Sequence, residues 1–407
     1  MNTVQKVRIP LSIYVHCPWC IQKCPYCDFN SYRMDNELLE DAYLQALLED
    51  FRHDLPYMQS RFVQSIYIGG GTPTLFSPQT IEKLLNEIYK RLPFAEEIEI
   101  TIEANPATFD LEKLLALRKA GINRISLGVQ SFQDSFLKTL KRVHSAEQAK
   151  QAIEMIHQAE FYNFNLDLMH GLPGQSVENA IYDLQTAFSF CPPHLSWYEL
   201  TIEPDTYFYT HKPLLPDEDT LIQIQKVGRK LLSEQGYRRY EVSAYCLPGQ
   251  ECKHNLNYWT FGDYLGIGAG AHGKITLSTP SFRQLFANEL AHCNDNHGIL
   301  RYAKIRRPEE YIGHLSRHHS IDQNFYKGKS IVTREFIPLE FMMNALRLTN
   351  GVPTDLFPER TGIHITNIQD ALTLAHHENY IEDFSKTLKT TPKGGQFLNQ
   401  CLSFFTP

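Results

Sequence analysis

Strand-like and helical stretches alternate without interruption through the first half of this 407-residue chain, and that alternation limits its possible folds more than any other feature. Residues 11–16, 63–68, 97–103, 122–129, 164–169 and 194–200 read as strands. Between them, residues 37–51 carry Leu38, Leu39, Ala42, Tyr43, Ala46, Leu47 and Phe51, an apolar stripe at helical spacing. Residues 78–91, 111–120, 146–159 and 176–188 read as further helices, the second of these closed by Gly121. Strict β–α alternation implies parallel strands joined by right-handed crossovers. Six such units fit either an open (β/α)6 barrel or a doubly wound sheet, and the pattern alone leaves both open.

Side-chain parity along the strands adds a second constraint. Successive residues of a strand face opposite sides. Ile98, Ile100 and Ile102 alternate with Glu99, Thr101 and Glu103, and Ile125, Leu127 and Val129 alternate with Ser126, Gly128 and Gln130. Phe164, Leu166 and Leu168 alternate with Asn165 and Asp167, and Ile13 and Val15 with Tyr14 and His16. Closed barrels normally fill their interior with branched apolar side chains. Here the apolar faces must meet the helices, so the polar faces turn inward together and line a cavity for a polar ligand.

Directly after the first strand, four cysteines fall within eleven residues: Cys17, Cys20, Cys24 and Cys27. Thiolates ligate structural zinc and iron–sulfur clusters. Zinc is normally held by four ligands in well-separated pairs, and no C-x-x-C occurs outside this run. Cys20, Cys24 and Cys27 form C-x3-C-x2-C, three ligands on one loop, which suits a four-iron cluster with one iron left open. The net charge of −7 argues against a general nucleic-acid binder, and no apolar run is long enough to span a bilayer. Nine cysteines without paired spacing argue against a disulfide framework, so a cytoplasmic location is expected.

The C-x3-C-x2-C loop, with Tyr26 before its last cysteine, resembles the radical S-adenosylmethionine (SAM) superfamily. The longer run from Tyr14 to Asn30 is similar to the anaerobic coproporphyrinogen dehydrogenase group, and most of all to HemW-type heme chaperones. The resemblance implies a [4Fe-4S] cluster on Cys20, Cys24 and Cys27, with SAM on the open iron, and makes Cys17 a bystander. It implies a partial (β/α)6 TIM-like barrel over residues 1–300 and a smaller helical, winged-helix-like domain over 301–407. It maps Gly69, Gly70, Gly71 and Thr72 onto the family's GGE-type motif, which receives the amino group of SAM, and Glu103 onto the ribose end. Gln130, Arg142 and Asp167 match further SAM-contact positions, and Tyr14 an aromatic beside the ligand. His254, Tyr258 and Trp259 complete an H-N-x-x-Y-W motif that the family associates with heme.

Two functional classes follow from the resemblance. One is a heme chaperone whose partners are heme, acceptor heme proteins (membrane-bound ones included) and an electron donor, with a homodimer left open. The other is coproporphyrinogen dehydrogenase, an enzyme that decarboxylates propionates by radical chemistry. That enzyme carries a fourth cysteine two residues after the last cluster ligand, where this chain has Phe29. The chaperone reading is therefore favoured, and the dehydrogenase activity is not expected. The glycines from 262 to 273 read as a close-packed loop, and His318-His319 and His376-His377 as surface pairs.

Overall fold

The computed structural model describes residues 9–34, 38–58, 61–277, 298–317 and 325–407. The pair His318-His319 and Cys293 lie outside them. Six strands of the main sheet follow in order: β1 (Leu11–Cys17), β2 (Val63–Gly70), β3 (Phe94–Ala104), β4 (Arg124–Gln130), β5 (Phe164–His170) and β6 (His194–Glu199). Each pairs in parallel with the next. Their crossovers carry helices α1 (Glu40–Asp54), α2 (Pro78–Tyr89), α3 (Leu111–Lys119), α4 (Ala146–Gln158) and α5 (Val177–Phe188). Ser77, Asp110, Ser145 and Ser176 cap the N-termini of α2 to α5 by accepting from a backbone N–H three residues on.

The sheet curves but does not close. After β6 come helix α6 (Glu218–Glu234), the short antiparallel strands β7 (Arg238–Arg239) and β8 (Ala244–Cys246), and helix α7 (Lys253–Trp259). Strand β9 (Asp263–Ile267) then returns to pair in parallel with β1. It is extended antiparallel by β10 (His272–Leu277), β11 (Gly298–Lys304) and β12 (Tyr326–Val332). The twelve strands lie in the order β12-β11-β10-β9-β1-β2-β3-β4-β5-β6-β8-β7. An open, mixed barrel sheet is therefore the observed alternative of the two.

Two expectations shift. The glycine run from 262 to 273 is not a loop but contains β9 and the start of β10. A Cβ on Gly266 would lie 1.9 Å from the His272 carbonyl oxygen, so the strands meet where only glycine fits. The domain boundary at residue 301 falls inside β11, and the architecture changes only after Val332. From there α8 (Ile337–Ala345) and further helices build a second apolar core around Phe341, Met342, Phe357 and Leu372. That core reaches Tyr240, Cys246, Phe261 and Ile299 of the barrel. Val352–Pro353 pairs with Thr387–Leu388, and Ile381 bridges Thr390.

The main core lies between the sheet's outer face and α1 to α6. Ile100, Ile102, Ile125, Leu127, Leu166 and Leu168 are all buried there. The opposite parity carries Ser65, Glu99, Thr101, Arg124, Ser126 and Asn165, also buried, on the inner face. Strand parity thus selects a polar interior. Its lower part is filled by hydrogen-bonded side chains rather than solvent: His194 Nδ1 meets Asn165 Oδ1 at 2.7 Å, and the Asn165 amide donates to Ser126 at 2.9 Å.

Candidate functional site

At the C-terminal ends of the parallel strands the polar interior opens into a cavity of about 420 Å³. Cys20, Cys24 and Cys27 line it, together with Gly70, Gly71, Thr72, Glu103, Gln130, Arg142 and Asp167. Residues separated by more than a hundred positions are thereby gathered at one mouth. Cys17 is buried in the apolar core and does not line the cavity. Burial raises the Cys20 thiol to about 11 and also raises that of Cys27. Such thiols keep their protons until a metal replaces them.

The glycine turn after β2 is shaped by what lies behind it. Gly70 has φ +113°, and a Cβ there would sit 2.5 Å from the His16 ring. A Cβ on Gly71 would be 2.4 Å from the Trp19 carbonyl oxygen. The Gly71 N–H donates to the Cys17 carbonyl at 2.7 Å and that of Thr72 to Trp19 at 2.7 Å, which fastens this turn to the cysteine loop. Gly69 lies behind the lining, where a Cβ would come 3.0 Å from the Glu103 carboxyl.

Glu103 accepts from the Gly70 N–H and the Tyr67 hydroxyl, each at 2.9 Å. Burial, with the Asp167 charge adding to it, lifts its carboxyl to about 7. Burial also raises Asp167, which accepts from the Asn165 amide at 2.8 Å. Gln130 sits at a register irregularity between β4 and β5 with φ 69°, a left-handed conformation that a non-glycine residue rarely takes. Its side-chain oxygen accepts from the Tyr198 hydroxyl at 2.8 Å. Arg142 donates to the Gly128 carbonyl at 2.8 Å and approaches the Cys24 sulfur at 3.5 Å. A cation beside the cysteine loop, two carboxyls opposite and a glycine turn between them can hold a zwitterionic, cationic ligand against a metal centre.

Tyr67, Ser196 and Tyr198 also line this cavity, and sequence reasoning did not single them out. The parity of β2 and β6 was the available signal, since Ser196 and Tyr198 share the inward register with His194.

A second cavity of about 620 Å³ opens on the other side of Glu103. Asp28, Phe29, Gly70 and Glu103 line both cavities and form their common wall. Tyr14 belongs to the second cavity, with its hydroxyl 2.9 Å from His16 Nδ1. Of the H-N-x-x-Y-W residues only Tyr258 lines either of these two cavities, and it lines the second. His254 is 2% exposed beneath the floor, its Nδ1 3.0 Å from Ser65 Oγ and its Nε2 3.1 Å from the Tyr258 hydroxyl. Burial lowers its pKa to about 3. Neither ring nitrogen is free to meet an iron in this arrangement. Trp259 faces away, against the C-terminal core, with the Arg347 guanidinium 4.4 Å from its ring.

The comparisons follow this geometry. Residues 14–186 match the Radical SAM superfamily, and residues 332–397 match the HemN C-terminal domain. The chain is 44% identical to the heme chaperone HemW of Escherichia coli, over 97% of this chain and 98% of that protein. It is 43% identical to the heme chaperone HemW of Haemophilus influenzae at the same coverage. The chain belongs to the HemW family. Among solved structures, this HemW family member resembles the radical SAM enzyme coproporphyrinogen III oxidase (HemN) of Escherichia coli. The TM-score is 0.78, covering 99% of this chain and 91% of that one, at 21% identity, a likeness of fold.

Proposed function

We propose that this protein is a heme chaperone: it binds heme and passes it to acceptor heme proteins, and it carries a [4Fe-4S] cluster and SAM in the first cavity. The residues there fit both groups. Cys20, Cys24 and Cys27 would hold three irons, with Gly70, Gly71, Thr72, Glu103, Gln130, Arg142 and Asp167 around the SAM on the fourth. When loaded, such a site supplies one-electron reductive cleavage of SAM. The chain's own groups position the ligand: Arg142 beside the cluster loop, Glu103 and Asp167 as acceptors, and the glycine turn for close approach. The reading extends to an electron donor for the cluster, to membrane-bound acceptors and to association as a homodimer. A reducing compartment, the cytoplasm, agrees with the eight described cysteines, which are all free.

The observation that carries the chaperone reading is Phe29. It stands in the wall between the cavities, 57% exposed, where the dehydrogenase has a thiol. None of the described cysteines outside the cluster loop lines either cavity. The near full-length relatives named heme chaperones agree. The test is direct. Titration of heme into the anaerobically purified protein should shift the Soret band. Incubation with coproporphyrinogen, SAM and a reductant should yield no protoporphyrinogen. Decarboxylation over many turnovers would overturn the proposal in favour of the dehydrogenase.

A further inference from the structure

We propose that the second cavity is the seat of the heme and that His272, rather than His254, ligates its iron, with Arg306 and Lys327 facing the propionates. The proposal rests on the heme-binding reading above and assigns it a place. Three histidines lie in or under this cavity, and their ring nitrogens separate them. His16 is spent, with Nδ1 on the Tyr14 hydroxyl and Nε2 2.8 Å from the Asn30 carbonyl oxygen. His254 is spent on Ser65 and Tyr258. His272 opens β10 on the cavity wall, is partly exposed, and its ring has no hydrogen-bond partner among the described residues.

An axial ligand must also be neutral, because only the unprotonated imidazole nitrogen has a lone pair for iron. Partial burial of the ring, with the nearby Arg306 and Arg301 charges, lowers the His272 pKa below the ordinary histidine value, which favours the neutral ring at physiological pH. The surroundings suit a porphyrin. Tyr258 and Tyr264 meet edge to face at 4.4 Å and, with Phe29 on the shared wall, give aromatic surface for an extended ring. The cavity lies within the usual size range of ligand sites. Arg306 and Lys327 line it as well. The other lysine at the wall, Lys304, is engaged by Asp50 and Asp54. Exposed cations beside an aromatic cavity match a flat iron chelate that bears carboxylates.

The test uses the full-length, cluster-loaded protein and ferric heme. Its readouts are the Soret band, the electron paramagnetic resonance spectrum and the dissociation constant, with cluster absorbance and circular dichroism confirming the fold. His272→Ala should lose the histidine-ligated signature and weaken heme binding about ten-fold or more, the scale of one strong polar contact. Added imidazole should restore the spectrum. His254→Gln should keep the signature. The pair Arg306→Ala and Lys327→Ala should weaken binding of heme but not of heme dimethyl ester. A signature that persists unchanged in His272→Ala, while the unaltered protein binds heme, overturns this assignment alone. Loss of the signature in a folded His254→Gln variant overturns it in favour of the motif histidine. Absence of heme uptake by the unaltered protein overturns the chaperone reading along with it.

Discussion

Glu103 sets the charge of the first cavity. With its carboxyl held near 7, it is half protonated at neutral pH, whereas an ordinary carboxyl would be ionised. SAM carries a sulfonium cation and hydroxyls that donate, so its binding favours the ionised form. Affinity for SAM should therefore fall as pH drops below about 7, approaching about ten-fold per unit once the group is mostly protonated. Binding should take a proton off the protein, and Glu103→Gln should bind more weakly with a flattened profile. Calorimetry across pH 6 to 8 in buffers of different ionisation heat checks both (roughly one unit either side of the midpoint). The cysteines give a second prediction. Alanine at Cys20, Cys24 or Cys27 should remove most iron, measured per chain after anaerobic reconstitution. Cys17→Ala should keep it, at a stability cost of about 1 kcal/mol for a small core truncation. A reversed pattern would reassign the ligands. At this scale much was legible: the spacing of three cysteines and strand parity pointed to groups that do share one cavity. The left-handed backbone of Gln130 and the free ring of His272 were not legible. A positive φ on glutamine has no sequence signature, and a lone histidine beside a glycine run reads like any other.

Among the elements, α7 departs most from a reading by motif. Its seven residues are too few for periodicity to say which face meets what. In the fold it plugs the lower end of the barrel. His254 packs on Tyr67 at 5.0 Å, and the Tyr67 hydroxyl reaches Glu103, so the motif supports the first cavity from below. Trp259 serves a different partner, because its ring joins the C-terminal core under Arg347. Trp259→Ala should cost about 2–4 kcal/mol, somewhat less than for a fully buried aromatic. A double-mutant cycle with Arg347→Ala should return a coupling of about 0.5–2 kcal/mol, read from urea unfolding. Coupling near zero would mean that the cation above the ring adds nothing. The strands and helices of the first half needed no such correction, since each carries its own period and α2 to α5 their own caps.

For the molecule as a whole, alternation gave away the parallel array, and what it hid was β9 and the antiparallel extension β10 to β12 built on it. Short strands broken by glycine do not announce a sheet, and so residue 301 was not recognised as lying within a strand. This extension is pinned to the barrel's helical layer by an ion cluster. Lys304 on β11, fully buried, bonds Asp50 and Asp54 of α1, while the Tyr311 hydroxyl donates to Asp50 at 2.6 Å. The Lys304 amine therefore has no path to water while the extension is closed, although the cavity proposed for heme lies against the same strand. A lysine-directed acylating reagent, added to the native protein, will mark the surface amines quickly and leave this one bare. Mass spectrometry of its peptide over time then becomes a clock for how often β11 parts from α1. Running that clock with and without heme would show whether a bulky cargo enters past a rigid wall or through a door.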